Sequence, residues 1–115
     1  MKRILFIDDD AMILRMAGFI MKKCGCEALT ASSGEEGTAL AVSESPDMVF
    51  VDMEMPGMDG FETLVQLKAK AAAPVYMMSG TVTEENRKRA EELGACGVIS
   101  KPLNAAEVMS IVKEG

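Results

Sequence analysis

The residues of this chain best suited to chemistry are carboxylates, a hydroxyl and an amine, each standing where a short apolar run ends. Asp8-Asp9-Asp10 closes Ile4-Leu5-Phe6-Ile7, and Asp52 closes Met48-Val49-Phe50-Val51. Ser79-Gly80 closes Val75-Tyr76-Met77-Met78, and Lys101-Pro102 closes Val98-Ile99-Ser100. Asp52 also opens the stretch Asp52-Met53-Glu54-Met55-Pro56-Gly57-Met58-Asp59-Gly60. A carboxylate on the lip of a buried strand, followed by a Pro/Gly-rich loop, is held where a reactant can reach it. Such a set can handle phosphate or a metal. The sequence contains no histidine, which removes Ser-His and Cys-His nucleophilic pairs and the usual acid/base group of neutral pH.

The elements that must position these residues follow from the apolar pattern. Short apolar runs alternate with helical stretches of roughly ten or more residues, the pattern of a parallel sheet covered on both faces. Strands are predicted near Arg3–Ile7, Ala28–Ala31, Met48–Val51, Val75–Ser79 and Gly97–Ile99. Asp10 can cap a helix carrying Ile13, Met16, Ala17 and Ile20 at helical spacing. Ser33 with Glu36 forms a capping-box pattern for a second helix that ends before Pro46. Phe61, Leu64, Val65 and Lys68 mark a third, and Asn104 with Glu107 opens the last. In a doubly wound five-stranded sheet of order 2-1-3-4-5, the first and third strands are neighbours and the crevice at their carboxyl ends is the expected site. That arrangement brings Asp8 and Asp9 beside Asp52, with Ser79 and Lys101 arriving from the fourth and fifth strands.

The predicted helix at Glu84–Leu93 stands apart, because only Ala90 and Leu93 are apolar anchors in it. Pairs such as Glu84/Lys88, Glu85/Arg89 and Lys88/Glu92 would support the helix by about 0.2–0.5 kcal/mol each, so its docking to the sheet is expected to be weak. It reads either as a solvated surface helix or as an element that shifts when the neighbouring site changes charge.

Composition narrows the function. The 115 residues, 12.3 kDa, are read as one domain spanning 1–115, so that an output domain would be a separate molecule or lie outside this sequence. A formal net charge of -6 and a pI near 4.6 argue against direct nucleic-acid binding through a basic face and favour cations or basic partners. No apolar run approaches the ~18 residues of a membrane span. Met1-Lys2-Arg3 with only four apolar residues behind it is too short for a secretory signal, so a cytoplasmic location is expected. Cys24, Cys26 and Cys96 are odd in number and lack a second pair, a poor zinc set, and are read as reduced structural thiols.

Each motif alone has a plainer use. An Asp run before a helix can be only an N-cap, and Asp59-Gly60 reads as turn chemistry before the third helix. Ser79 could be a loop hydroxyl and Lys101 a solvated charge. Pro102 could merely break the chain. The 11 methionines read mostly as gap-filling core, Met55 and Met58 included. These separate uses do not explain why all four motifs stand in order at strand ends.

Taken together, Ile7-Asp8-Asp9-Asp10, the stretch from Asp52 to Gly60, Met78-Ser79-Gly80 and Lys101-Pro102 make the whole chain resemble a receiver domain of the two-component response-regulator family. The resemblance implies a doubly wound (βα)5, flavodoxin-like fold and a signalling switch rather than a turnover enzyme. It implies that Asp52 accepts a phosphoryl group from a histidine kinase or a histidine phosphotransfer protein. It further implies that Asp9 and Asp52 bind Mg²⁺ directly, that Asp8 acts largely through water, and that the Glu54 carbonyl completes the protein ligands. Ser79 and Lys101 would hold the phosphoryl oxygens, the Lys101–Pro102 bond would be cis, and a downstream protein or output domain would read the face of helix 4, strand 5 and helix 5. These roles suit the residue types. Two carboxylates about 5 Å apart repel by roughly 3 kcal/mol at an effective dielectric of about 20. Mg²⁺ takes oxygen ligands and keeps several waters, so it and Lys101 would relieve that repulsion.

Two positions depart from the family pattern. Receivers usually carry Tyr or Phe three residues before the Lys, and here that position is Val98, so an aromatic rotamer switch is absent. Glu54, two residues after Asp52, either overhangs the phosphoryl group and alters its lifetime or points to solvent. Two other function classes share the residues: a pseudo-receiver with one fixed state, against which the complete set Asp8, Asp9, Asp52, Ser79 and Lys101 argues, and a hydrolase working through an aspartyl-phosphate, against which the setting of Glu54 argues.

Overall fold

The computed structural model describes residues 1–55 and 59–114. Five strands alternate with five helices: β1 (Arg3–Ile7), α1 (Ala11–Cys24), β2 (Glu27–Ala31), α2 (Gly34–Glu44), β3 (Met48–Asp52), α3 (Gly60–Lys70), β4 (Val75–Ser79), α4 (Glu84–Glu92), β5 (Gly97–Ser100) and α5 (Ala105–Glu114). All strand pairs are parallel, in the order β2-β1-β3-β4-β5. The predicted topology stands, with three strands each one residue longer than expected.

Alternation along each strand divides the core into two layers. Leu5, Ile7, Val49, Val51, Val75 and Met77 face a cluster completed by Ala41 of α2, Phe61, Leu64 and Leu67 of α3, and Ala90 of α4. Ile4, Phe6, Met48, Phe50 and Met78 face the other, with Ile13, Ala17, Ile20 and Met21 of α1 and Val108 and Val112 of α5. Strands buried on both faces need apolar residues at every position, which is why they read as continuous runs. In register across the second face, Phe6 stacks on Phe50 with centroids 5.0 Å apart, and Phe50 on Tyr76 at 5.6 Å. Tyr76 pairs with Gly97, where no side chain competes for the space.

The predicted caps form, with one variation. Asp10 Oδ1 accepts from Met12 N at 2.9 Å and Asn104 Oδ1 from Glu107 N at 2.9 Å; Asp59, expected only as turn chemistry, also caps its helix, its Oδ1 accepting from Glu62 N at 2.8 Å. At α2, Ser33 Oγ accepts from Glu36 N, but the Glu36 carboxylate reaches one residue further than a capping box, to Ser32 N at 2.7 Å. α1 ends at Gly25, whose φ of 71° is the left-handed conformation that glycine adopts without strain.

Some predicted core positions are not buried. Met16 and Val65 are exposed, while Met21 and Leu67 are the residues buried near them. Met1 and Met12 are also exposed, whereas Met21, Met48, Met53, Met55, Met77 and Met78 are core; Met58 lies outside the described residues. The expected ion pairs of α4 are replaced: Arg87 pairs with Glu84 at 2.6 Å and with Glu91 at 3.9 Å, and Arg89 lies over the Phe61 ring, 4.1 Å from its centroid. Among the described residues, no helix is long and apolar enough to cross a membrane.

Candidate functional site

The carboxyl ends of β1, β3, β4 and β5 deliver their polar residues to one crevice because backbone hydrogen bonds continue past the strands. Asp8 N donates to Ala31 O at 3.0 Å, Met53 N to Met78 O at 2.8 Å, and Lys101 N to Ser79 O at 2.8 Å. The loop after β3 is pinned by α3: a Cβ on Gly60 would lie 2.3 Å from the Asp52 carbonyl oxygen and 2.5 Å from Met53 Cα. Both partners are backbone atoms and cannot move aside, so the approach requires glycine. Pro56, Gly57 and Met58 of the predicted loop lie outside the described residues.

Asp8, Asp9 and Asp52 each offer a carboxylate oxygen within 4.8 Å of the others. Asp8 and Asp52 are buried, Asp9 exposed. Lys101 Nζ bridges the two buried groups, 3.0 Å from Asp52 Oδ1 and 3.3 Å from Asp8 Oδ2. Its ammonium is therefore not the solvated charge of the plainer reading. The Lys101–Pro102 bond is cis.

Burial pushes the Asp8 carboxyl up to about 6, and the charge of Asp52 adds to the rise; the Asp10 amide and Lys101 oppose it. Burial works against the charge of Lys101, but its contacts with Asp52 and Asp8 prevail and hold its pKa above the ordinary lysine value. An oxygen-only set of three crowded carboxylates, one of them reluctant to ionise, fits a hard divalent cation better than a soft one.

Ser79 is buried on the other side of the crevice. Its Oγ accepts from Thr81 N at 3.0 Å and lies 2.9 Å from the Thr81 carbonyl oxygen. It also hydrogen-bonds Glu54 Oε2, and Gly80 N donates to Glu54 Oε1 at 3.1 Å. The Glu54 backbone N donates to Asp52 Oδ1 at 3.1 Å. The Glu54 side chain thus reaches across the crevice to β4, which sets aside the solvent-pointing one of its two alternatives. No sequence signal fixes the direction of a loop carboxylate.

Val98 pairs with Met77 and packs on the α2/α3/α4 side of the sheet. The aromatic of β4, Tyr76, lies on the opposite face. A cavity of about 450 Å³ lined by Ser45, Asp47, Lys70 and Pro74 opens at the far end of the sheet, away from these groups.

The sequence model described as "Response regulator receiver domain" matches residues 4–113. The chain belongs to the response-regulator receiver family. This receiver is 34% identical over 113 residues to the alkaline phosphatase synthesis transcriptional regulatory protein PhoP of Bacillus subtilis, spanning 97% of its own length and 47% of that protein's. It therefore covers about half of that relative. It is 30% identical over 114 residues to protein PilG of Pseudomonas aeruginosa, covering 96% of itself and 84% of PilG. Among solved structures, the receiver matches the chemotaxis protein CheY4 of Vibrio cholerae with a TM-score of 0.90 and 26% identity, over 99% and 98% of the two chains. A CheY-like receiver from Methanospirillum hungatei matches with a TM-score of 0.90 and 31% identity, over 99% and 92%. Receivers are signalling domains of two-component response regulators, not turnover enzymes in the ordinary sense, and phosphorylation is their general switch.

Proposed function

We propose that residues 1–115 form one receiver domain in which Asp52 accepts a phosphoryl group from a histidine kinase or histidine phosphotransfer protein. The observation that carries this reading is the convergence of Asp8, Asp9, Asp52 and Lys101, with Lys101 3.0 Å from Asp52 Oδ1. An Asp52 oxygen attacks phosphorus as the bond from phosphorus to the donor nitrogen breaks, and the donor imidazole leaves with the electron pair. The Lys101 ammonium offsets charge on the phosphoryl oxygens, and the Ser79 hydroxyl donates to one of them.

Asp8, Asp9 and Asp52, with the Glu54 carbonyl, are the groups that would hold Mg²⁺, which when bound supplies positive charge against the carboxylates and the phosphoryl oxygens. Met12 and Phe19 stand exposed on α1, apolar surface that a phosphodonor docking beside the crevice could cover. The phosphorylated state would pass to a downstream protein or output domain through α4, β5 and α5.

Intact mass after incubation with Mg²⁺ and a small acyl phosphate tests the reading. A transient single phosphoryl adduct in the wild type, absent in Asp52→Asn, is expected. No adduct would make the protein a fixed-state binding module. Turnover of diverse phosphate esters would make it a hydrolase.

A further inference from the structure

Glu54 makes an unusual pair of contacts for an exposed acidic side chain. Its two carboxylate oxygens take separate donors on the loop after β4: the Ser79 hydroxyl and the Gly80 amide. Among the described residues it has no cationic partner, since Lys101 is engaged by Asp8 and Asp52. What keeps it in the crevice is the pair of neutral donors, a hydroxyl and an adjacent main-chain N–H, a combination suited to the oxygens of an anion. β4 pairs with β3 so that Met78 lies opposite Asp52, and the next residue is Ser79. The donors that Glu54 occupies thus stand one and two residues past the register partner of Asp52.

We propose that Glu54 is an internal competitor of the phosphoryl group, occupying Ser79 and Gly80 in the unphosphorylated protein and leaving them only when a phosphoryl group on Asp52 takes its place. This rests on the reading of Asp52 as phosphoacceptor. A phosphoryl group carries close to two negative charges and three acceptor oxygens, and Lys101 adds attraction that Glu54 does not receive. Exchange thus favours the phosphoryl group, and the displaced carboxylate, already exposed, returns to water at small desolvation cost. Glu54 so raises the threshold for activation and steadies the loop before it.

Two measurements on Glu54→Ala and Glu54→Gln test the proposal. In the unphosphorylated protein, the Gly80 amide resonance should move upfield in Glu54→Ala and stay near its wild-type position in Glu54→Gln, whose side-chain oxygen can still accept. With Mg²⁺, beryllofluoride should bind Glu54→Ala about tenfold tighter than wild type, with Glu54→Gln between them, and the gain should shrink in a Ser79→Ala background. An unmoved Gly80 amide, or beryllofluoride affinity unchanged or weakened in Glu54→Ala, overturns the competition while leaving Asp52 as acceptor. If beryllofluoride binds Asp52→Asn as well as wild type, the phosphoacceptor reading fails and this inference with it.

Discussion

α1 and α4 both flank the crevice, and they are held in opposite ways. α1 buries Ile13, Ala17, Ile20 and Met21 against the sheet and is capped at both ends, by Asp10 and by Gly25. α4 is also capped, by Thr83, but it buries only Ala90, with Leu93 partly buried at its end, and rests the Arg89 guanidinium on Phe61. Apolar burial stabilises by roughly 25 cal/mol per Å², and a cation–π contact at a partly exposed site by about 0.5–1 kcal/mol. The contrast assigns different tasks. On the proposed reading, α1 fixes Asp8 and Asp9 at the carboxyl end of β1, whereas α4 would follow the loop that holds Ser79.

Truncating Ile20 to alanine should break the strong side of this contrast. A loss of about 2–4 kcal/mol is expected in urea unfolding, with the midpoint shifted and the slope unchanged. A loss below about 1 kcal/mol would mean that α1 is no better anchored than α4.

The acidic cluster beneath α1 gives a pH-dependent test. Folded Asp8 holds its proton up to about 6, whereas the unfolded carboxyl releases it near 3.8. Between these values the folded state binds more protons, so stability falls as pH rises from the unfolded value through the folded one and then levels off. A fall of roughly 2 kcal/mol between pH 4 and 7 is expected, largely removed in Asp8→Asn. Mg²⁺ at neutral pH should restore it by mass action, by about 2.7 kcal/mol at a hundred times its dissociation constant. Thermal melts that ignored Mg²⁺ would count against the carboxylates as a cation site.

On the weak side, Arg89→Ala should cost only about 0.5–1 kcal/mol of global stability. Amide exchange in α4 should nonetheless quicken while that in α1 does not change. Equal acceleration in both helices would show that Arg89 supports the whole fold and not this one element.

The strand ends were the most legible part of the molecule in sequence. Asp8, Asp52, Ser79 and Lys101 could be placed because each ends an apolar run, and parallel strands align such ends at one edge of a sheet. The caps Asp10, Ser33 and Asn104 were readable because a cap is a local bond between neighbours in sequence. Met16 and Val65 misled because the apolar stripe of their helices is wider than the surface the sheet covers. Contacts between distant elements left no local trace. Arg89 could equally have paired with Glu85, four residues away, and only the fold brings Phe61 beneath it. The fork of Lys101 between Asp8 and Asp52, and the turn of Glu54 toward Ser79 and Gly80, likewise depend on loop geometry that no period in the sequence encodes.

The central claim is that a phosphoryl group on Asp52 reaches α4 through Ser79 and leaves α1 in place. Amide hydrogen exchange with and without beryllofluoride and Mg²⁺, in wild type, Ser79→Ala and Val98→Ala, measures this directly. Exchange should change most over residues 79–93, change little in α1 beyond its first turn, fall away in Ser79→Ala and persist in Val98→Ala. A response that vanished in Val98→Ala but survived in Ser79→Ala, or one as large along α1 as along α4, would contradict the account.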